Sequence, residues 1–165
     1  MQAQGDIEVP LGFNDVNAFK KFVQDLYSEY WVGGGGSGRF PDVTFGMQGS
    51  AVTGVSYDTR RPFDEGRTSD FDVALICENL HKMAKHKFPA KVFSDKKTSE
   101  ALCPMTREHF IDLGLENFYN QVKRYGCRDV NFGLFASEKG ATGRSPTLLM
   151  KLVEGTDEVY TKRID

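Results

Sequence analysis

Apolar and polar positions along the chain follow two periods. Val16, Phe19, Phe22, Val23, Leu26, Tyr27 and Tyr30 recur at spacings of three and four, which is one face of a helix, and Asn14 stands where it would cap the first turn. Val43, Phe45 and Met47 alternate with Thr44 and Gly46, as the two faces of a strand do. The run Phe71-Asp-Val-Ala-Leu-Ile-Cys77 is too apolar for a solvated edge and predicts a strand inside a sheet. Leu80, Met83 and Ala84 predict a short helix. Thr106 predicts the cap of a further helical stretch bearing Phe110, Leu113, Phe118, Tyr119, Val122 and Tyr125, which Gly114 splits and Gly126 ends. Val130, Phe132 and Leu134 then read as the inward positions of a strand, with Asp129, Asn131 and Gly133 on its other face. A glycine-rich turn over residues 139–145 leads to a last strand, Thr147 to Val153, and the polar tail from Glu154 is expected to fray.

This order of elements predicts an α+β fold, a mixed sheet with helices packed mainly on one side. The 165 residues fit one domain spanning 1–165, with 1–12 and 155–165 frayed. Residues 33–38, Gly-Gly-Gly-Gly-Ser-Gly, read as a flexible tether, natural or engineered, and not as a phosphate cradle.

Charge and cysteine usage narrow the chemistry. A formal net charge of −2 argues against general affinity for nucleic acid, so any basic surface is local. The most basic stretch, Lys82 to Lys87 with Lys91, Lys96 and Lys97, reads first as a solvated face, and its few aromatics weaken a case for stacking on single strands. Cys77, Cys103 and Cys127 are widely spaced, with only His81, His86 and His109 to join them. That argues against both a zinc site and a disulfide framework. Cys77 reads as a small buried hydrophobe. No apolar run approaches the ~18 residues of a membrane span, and the first residues lack the basic and apolar regions of a leader. The expectation is a soluble chain with no membrane partner.

The candidate chemistry lies between two strands. Asp70 and Asp72 share one strand face while Phe71, Val73 and Leu75 take the other. Two neighbouring carboxylates repel, and in so apolar a strand they are costly to desolvate without a cation between them. Oxygen ligands alone suit Mg2+ or Mn2+. Gly49-Ser50 ends the preceding strand, where glycine permits close backbone approach and serine offers N–H and hydroxyl to a phosphate oxygen. Arg60, Arg61 and Arg67 lie in the intervening loop. They either neutralise a triphosphate and a departing pyrophosphate or pair in solvent with Asp58, Asp64 or Glu65. The plain alternative for the acid pair is a charged edge strand that guards against aggregation.

Gly49-Ser50 followed by Ser69-Asp70-Phe71-Asp72 resembles the signature of the polymerase-beta-like nucleotidyltransferase superfamily. The fuller string, Gln48-Gly-Ser-Ala-Val-Thr-Gly54 and then Gly66-Arg-Thr-Ser-Asp-Phe-Asp-Val-Ala-Leu75, is similar to nucleotidyltransferase-like domains at the C-terminal ends of bacterial contact-dependent and secreted polymorphic toxins. The resemblance covers about residues 40–136. It implies that Asp70 and Asp72 hold two divalent cations, Mg2+ or Mn2+, and that Gly49 and Ser50, with Ser69 in the same signature, bind a nucleoside triphosphate. It also implies a third carboxylate on a neighbouring strand. Asn131 falls at that place and Asp129 one step earlier on the same face, so either Asp129 serves or the site works with two acids.

The expected activity is metal-dependent transfer of a nucleoside monophosphate to an RNA, protein or small-molecule acceptor. The alternative is a catalytically weak or inactive nucleotide-binding module of the same fold. As a toxin domain it would act in the cytoplasm of a target cell, with delivery signals upstream and a cognate immunity protein as partner. No segment carries a pattern that reads a base or names the acceptor.

Overall fold

The computed structural model describes residues 7–32, 40–56, 59–89 and 101–164. The fold is α+β. Its six-stranded sheet comprises β1 (Thr44–Gln48), β2 (Phe71–Ile76), β3 (Arg124–Tyr125), β4 (Arg128–Phe135), β5 (Thr147–Leu152) and β6 (Val159–Ile164), in the order β3-β4-β2-β1-β5-β6. β2 and β4 run parallel and every other pair is antiparallel. β2 therefore has a neighbour on each side, which disposes of the edge-strand reading of the acid pair.

Strand alternation sorts the side chains into two unequal cores. Phe45 and Met47 of β1, Phe71, Val73 and Leu75 of β2, Val130, Phe132 and Leu134 of β4, and Leu148 and Met150 of β5 face the larger one. Helices α1 (Val16–Val32), α2 (Ser50–Thr53), α3 (Glu78–Lys87), α4 (Arg107–Asp112) and α5 (Glu116–Val122) all add buried residues to it. Full burial of one such aromatic or aliphatic side chain stabilises by about 1.5–3 kcal/mol, so this face carries most of the folding free energy. Tyr27 of α1 stitches the layers, its hydroxyl donating to Met150 O at 2.5 Å and accepting from Phe45 N at 3.2 Å. Burial pushes its pKa up to about 12.

The opposite face holds a smaller cluster of Ala74, Ile76, Phe135, Ala141 and Leu149 beneath α6 (Glu138–Arg144). Its strands offer small residues there. A Cβ at Gly46 would lie 2.6 Å from Thr147 Cγ2, so glycine is what leaves room for the Thr147 methyl. Beside this cluster Gln48, Asp72, Asn131 and Gly133 line a cleft.

Helix ends follow local chemistry. α1 is capped by Asp15 and not Asn14, with Asp15 Oδ1 accepting from Ala18 N at 2.8 Å. Cys77 is buried, as expected, and its Sγ also caps α3 by accepting from Leu80 N at 3.5 Å. Burial raises the Cys77 pKa. Thr106 forms a capping box with His109 at the start of α4, and Gly114, at φ 78°, separates α4 from α5 as predicted.

Further expectations fail. Gly126, at φ 60°, turns the β3–β4 hairpin, and α5 has already ended at the Lys123 cap. The turn expected over 139–145 is helix α6, where Ser137 accepts from Gly140 N and Ala141 is buried. The tail does not fray, because β6 pairs with β5 through six residues. Of the N-terminal stretch, residues 7–12 are described, and they are held as well: Glu8 N donates to Thr161 Oγ1 at 3.0 Å, Arg163 pairs with Glu8 at 2.5 Å, and Leu11 N donates to Ala51 O at 2.9 Å. The glycine run over 33–38 and Lys91, Lys96 and Lys97 lie outside the described residues. Among the described residues no helix is long and apolar enough to cross a membrane.

Candidate functional site

A cleft of about 1010 Å³ opens on the thinly covered face where β1 ends and β2 and β4 begin. Gly49 forms its floor. At φ 73° and ψ −157° its backbone occupies a region open essentially to glycine alone, and a Cβ there would overlap Asp72 Oδ2. The main chain is thereby seated directly against a carboxylate. Ser50 then opens α2, a single turn that Gly54 closes by donating to Ser50 O at 2.8 Å. Within that turn Val52 N and Thr53 N both donate to Gly49 O at 3.0 Å, and Ser50 lines the cleft.

Asp70 is exposed just before β2, whereas Asp72 lies within the strand and is partly buried. Asn131 stands opposite Asp72 in the parallel β2–β4 register. Its Nδ2 donates to Asp70 Oδ2 at 3.2 Å and, more weakly, to Asp72 Oδ1 at 3.5 Å. The amide thus offers partial positive charge to both carboxylates and offsets the repulsion that closeness imposes. Turned over, the same amide would present an oxygen. Asp70, Asp72 and that oxygen are a donor set that fits one hard divalent cation such as Mg2+ or Mn2+. Among the described residues no three His, Cys, Asp or Glu side chains come together, so the third acid implied by the resemblance is not supplied.

Asp129 does not supply it. The hairpin at Gly126 sets Arg124 opposite Asp129, and the two form an ion pair at 2.6 Å. The cleft wall holds Asn131 but not Asp129.

The arginines divide likewise. Arg60 and Arg67 line the cleft and Arg61 does not, because the chain doubles back through Ser56 N donating to Arg61 O at 2.8 Å. Arg144, at the end of α6, lines the cleft and was missed in the sequence. It is set there by Gln48, a buried side chain whose Nε2 donates to Ala141 O and Thr147 Oγ1, both at 2.9 Å. Polar Gln48 on an apolar strand was the available signal.

Ser69 is a loop brace and not a phosphate ligand. It is 1% exposed, and it exchanges hydrogen bonds with Asp64: Asp64 N donates to its Oγ and its N donates to Asp64 Oδ1, both at 2.9 Å. Arg128 locks this pair. Its guanidinium donates to both Asp64 carboxylate oxygens at 2.7 and 2.6 Å and to Ser69 O at 2.9 Å. It also stacks over Phe63 and Phe71, 4.8 and 5.2 Å from their centroids. The Arg128 hydrogen bond holds the Asp64 carboxyl at about 2, and Asp64 in turn raises the Arg128 pKa. The clamp also sustains Asp64 in a left-handed conformation, φ 64°, which costs a non-glycine residue about 1–3 kcal/mol. Its product is a fixed approach of the chain into Asp70. Nothing in the local sequence marks Arg128.

Comparisons with known protein families, with curated proteins and with solved structures return no match for this chain.

Proposed function

We propose that the cleft binds a nucleoside triphosphate with a divalent cation, Mg2+ or Mn2+, and transfers its nucleoside monophosphate to an acceptor. The observation that carries this reading is the contact of the Gly49 backbone with the Asp72 carboxylate. It brings a Gly-Ser turn able to receive phosphate oxygens against an acid pair able to hold a cation. Carboxylates alone would repel a triphosphate, and Arg60, Arg67 and Arg144 on the same walls supply the opposite charge.

Asp70 and Asp72 would hold the cation, whose chemistry when bound is to neutralise charge on the phosphate oxygens. The chain itself does the positioning. Gly49 and Ser50 receive the outer phosphates, and the arginines balance the charge that grows on pyrophosphate. An acceptor hydroxyl oxygen forms a bond to the α-phosphorus while the α-phosphorus bond to the bridging oxygen breaks. Pyrophosphate leaves with that electron pair, and the acceptor proton passes to water. Absence of a dedicated base lowers the rate by about 10²–10⁴-fold. The acceptor class, whether RNA, protein or small molecule, and a toxin role with an immunity protein belong to this same reading.

One observation favours the second reading, a module that binds nucleotide without transferring it. An amide stands at the third position and Asp129 is engaged by Arg124. One experiment tests both. The full chain is incubated with Mg2+ and each of the four α-labelled triphosphates in the presence of total RNA and total protein. Transfer of label that Asp70→Asn and Asp72→Asn each abolish is the expected result. Mg2+-dependent binding without transfer selects the second reading, and no Mg2+-dependent nucleotide binding refutes both.

A further inference from the structure

The acid pair has a neighbour of the wrong charge for two cations. Asn131 points N–H groups at Asp70 and Asp72 from the adjacent strand, at 3.2 and 3.5 Å. A third carboxylate would add negative charge at that point, and the amide adds none. The other carboxylate on that face of β4, Asp129, is held by Arg124 at 2.6 Å and lies off the cleft wall. Two divalent cations set ~3.5–4 Å apart repel each other, and among the described residues only the two carboxylates of Asp70 and Asp72, with no third acid, are there to offset that repulsion. The cleft instead carries fixed positive charge in Arg60, Arg67 and Arg144. Those guanidinium groups suit phosphate oxygens directly.

We infer that the cleft takes a single divalent cation with its triphosphate, that Asn131 sets this number, and that the three arginines do the electrostatic work of a second cation. The inference rests on the cleft being a nucleotide site and departs from the two-cation site implied by resemblance. Asn131 is then a counting residue. Its amide Nδ2 compensates the acid pair, and with its oxygen turned inward it would complete the donor set for one cation.

The test counts metal without turnover. The full chain is mixed with a nucleoside triphosphate analogue whose α,β-bridging oxygen is replaced by methylene, so no transfer occurs. Mn2+ is added and bound Mn2+ is read from the loss of the free-ion paramagnetic resonance signal. Wild type binds one Mn2+ per chain, Asn131→Ser also one, and Asn131→Asp two. Two on the wild-type chain overturn the inference and leave the nucleotide site standing. One on Asn131→Asp, with circular dichroism unchanged, overturns the role given to Asn131. Should Asn131→Asp fail to fold, the wild-type and Asn131→Ser counts still decide the number. Because a triphosphate carries a cation of its own, analogue affinity is also measured in Mn2+ and in chelator. Asp72→Asn weakens it only in Mn2+. Equal affinities for wild type in the two conditions overturn the nucleotide site itself, a separate failure.

Discussion

Replacement of Gly49 by alanine tests the seating of backbone against carboxylate with a single methyl group. Two costs arise. At φ 73° and ψ −157° any residue but glycine is strained by about 1–3 kcal/mol. The new Cβ also falls on Asp72 Oδ2, and displacing a packed group costs about 1–3 kcal/mol more. The sum centres near 4 kcal/mol. In a chain of 165 residues each kcal/mol moves the melting temperature by about 2–4 °C, so Gly49→Ala should lower Tm by roughly 12 °C.

Gly54→Ala is the control: its φ of 85° is strained, but nothing lies within 4 Å of the added Cβ. It should lose only about 1–2 kcal/mol. The two costs separate in an Asp72→Ala background, where the clash has gone and Gly49→Ala should cost its torsional strain alone. The assay is thermal and urea denaturation of the four variants followed by circular dichroism. Equal destabilisation by Gly49→Ala and Gly54→Ala, or an unchanged Gly49→Ala cost once Asp72 is truncated, would refute the reasoning.

The Arg128 clamp and the His109 cap give two further expectations. Arg128→Lys keeps the charge but loses the two-pronged bond and the ring stacking, and because Asp64 is 39% exposed the loss is set at about 1–3 kcal/mol, read by urea denaturation; an unchanged midpoint would show that the clamp is idle. Asp64 is depressed to about 2, so its stabilisation is complete above its unfolded value and disappears as pH falls through about 2. Asp64→Asn should therefore flatten the stability curve below about pH 4. His109 is held below its ordinary value, chiefly by burial, and its neutral Nδ1 accepts from Thr106 N at 3.0 Å. The unfolded chain therefore takes up the proton first, and this stabilisation is present above about pH 6.5 and is lost as pH falls through the folded value. His109→Gln retains a capping partner that does not titrate, so its Tm should fall less than wild type between pH 7.5 and 5.5. Parallel curves for the two proteins would rule the mechanism out.

What could be read from the sequence was what depends on short-range pattern. Alternation placed Phe71, Val73 and Leu75 on one face of a central strand, and the left-handed requirement at Gly114 split the helical stretch where it splits. That Asp70 and Asp72 lie on one cleft wall was legible from their spacing of two, although Asp70 is exposed just before the strand that was expected to carry both. The failures have a common cause in partners supplied from elsewhere. α6 contains Gly140 and Gly143 and has poor intrinsic propensity, yet Ser137 caps it and Gln48, far away in the chain, ties it down. β6 reads as a polar tail because its outer positions are charged, and only pairing with β5 makes it a strand. Gly126 could end a helix or turn a hairpin. The hairpin sets Arg124 against Asp129, and with that choice an apparent third acid becomes a surface ion pair.

The parallel pairing of β2 with β4 bears on when the cleft comes into being. β1 and β2 are antiparallel neighbours consecutive among the strands, with only the α2 turn and a loop between them, so Gly49 and Asp72 can meet early. Asn131 is 59 positions from Asp72, and Arg128 is 64 from Asp64. Closing such distances is slow, because chain entropy is lost before any contact offsets it. A half-folded chain therefore has the Gly-Ser turn and the acid pair but neither the amide nor the clamp. The cleft is thus complete only once β4 has docked against β2, and until then the acid pair lacks the Asn131 amide.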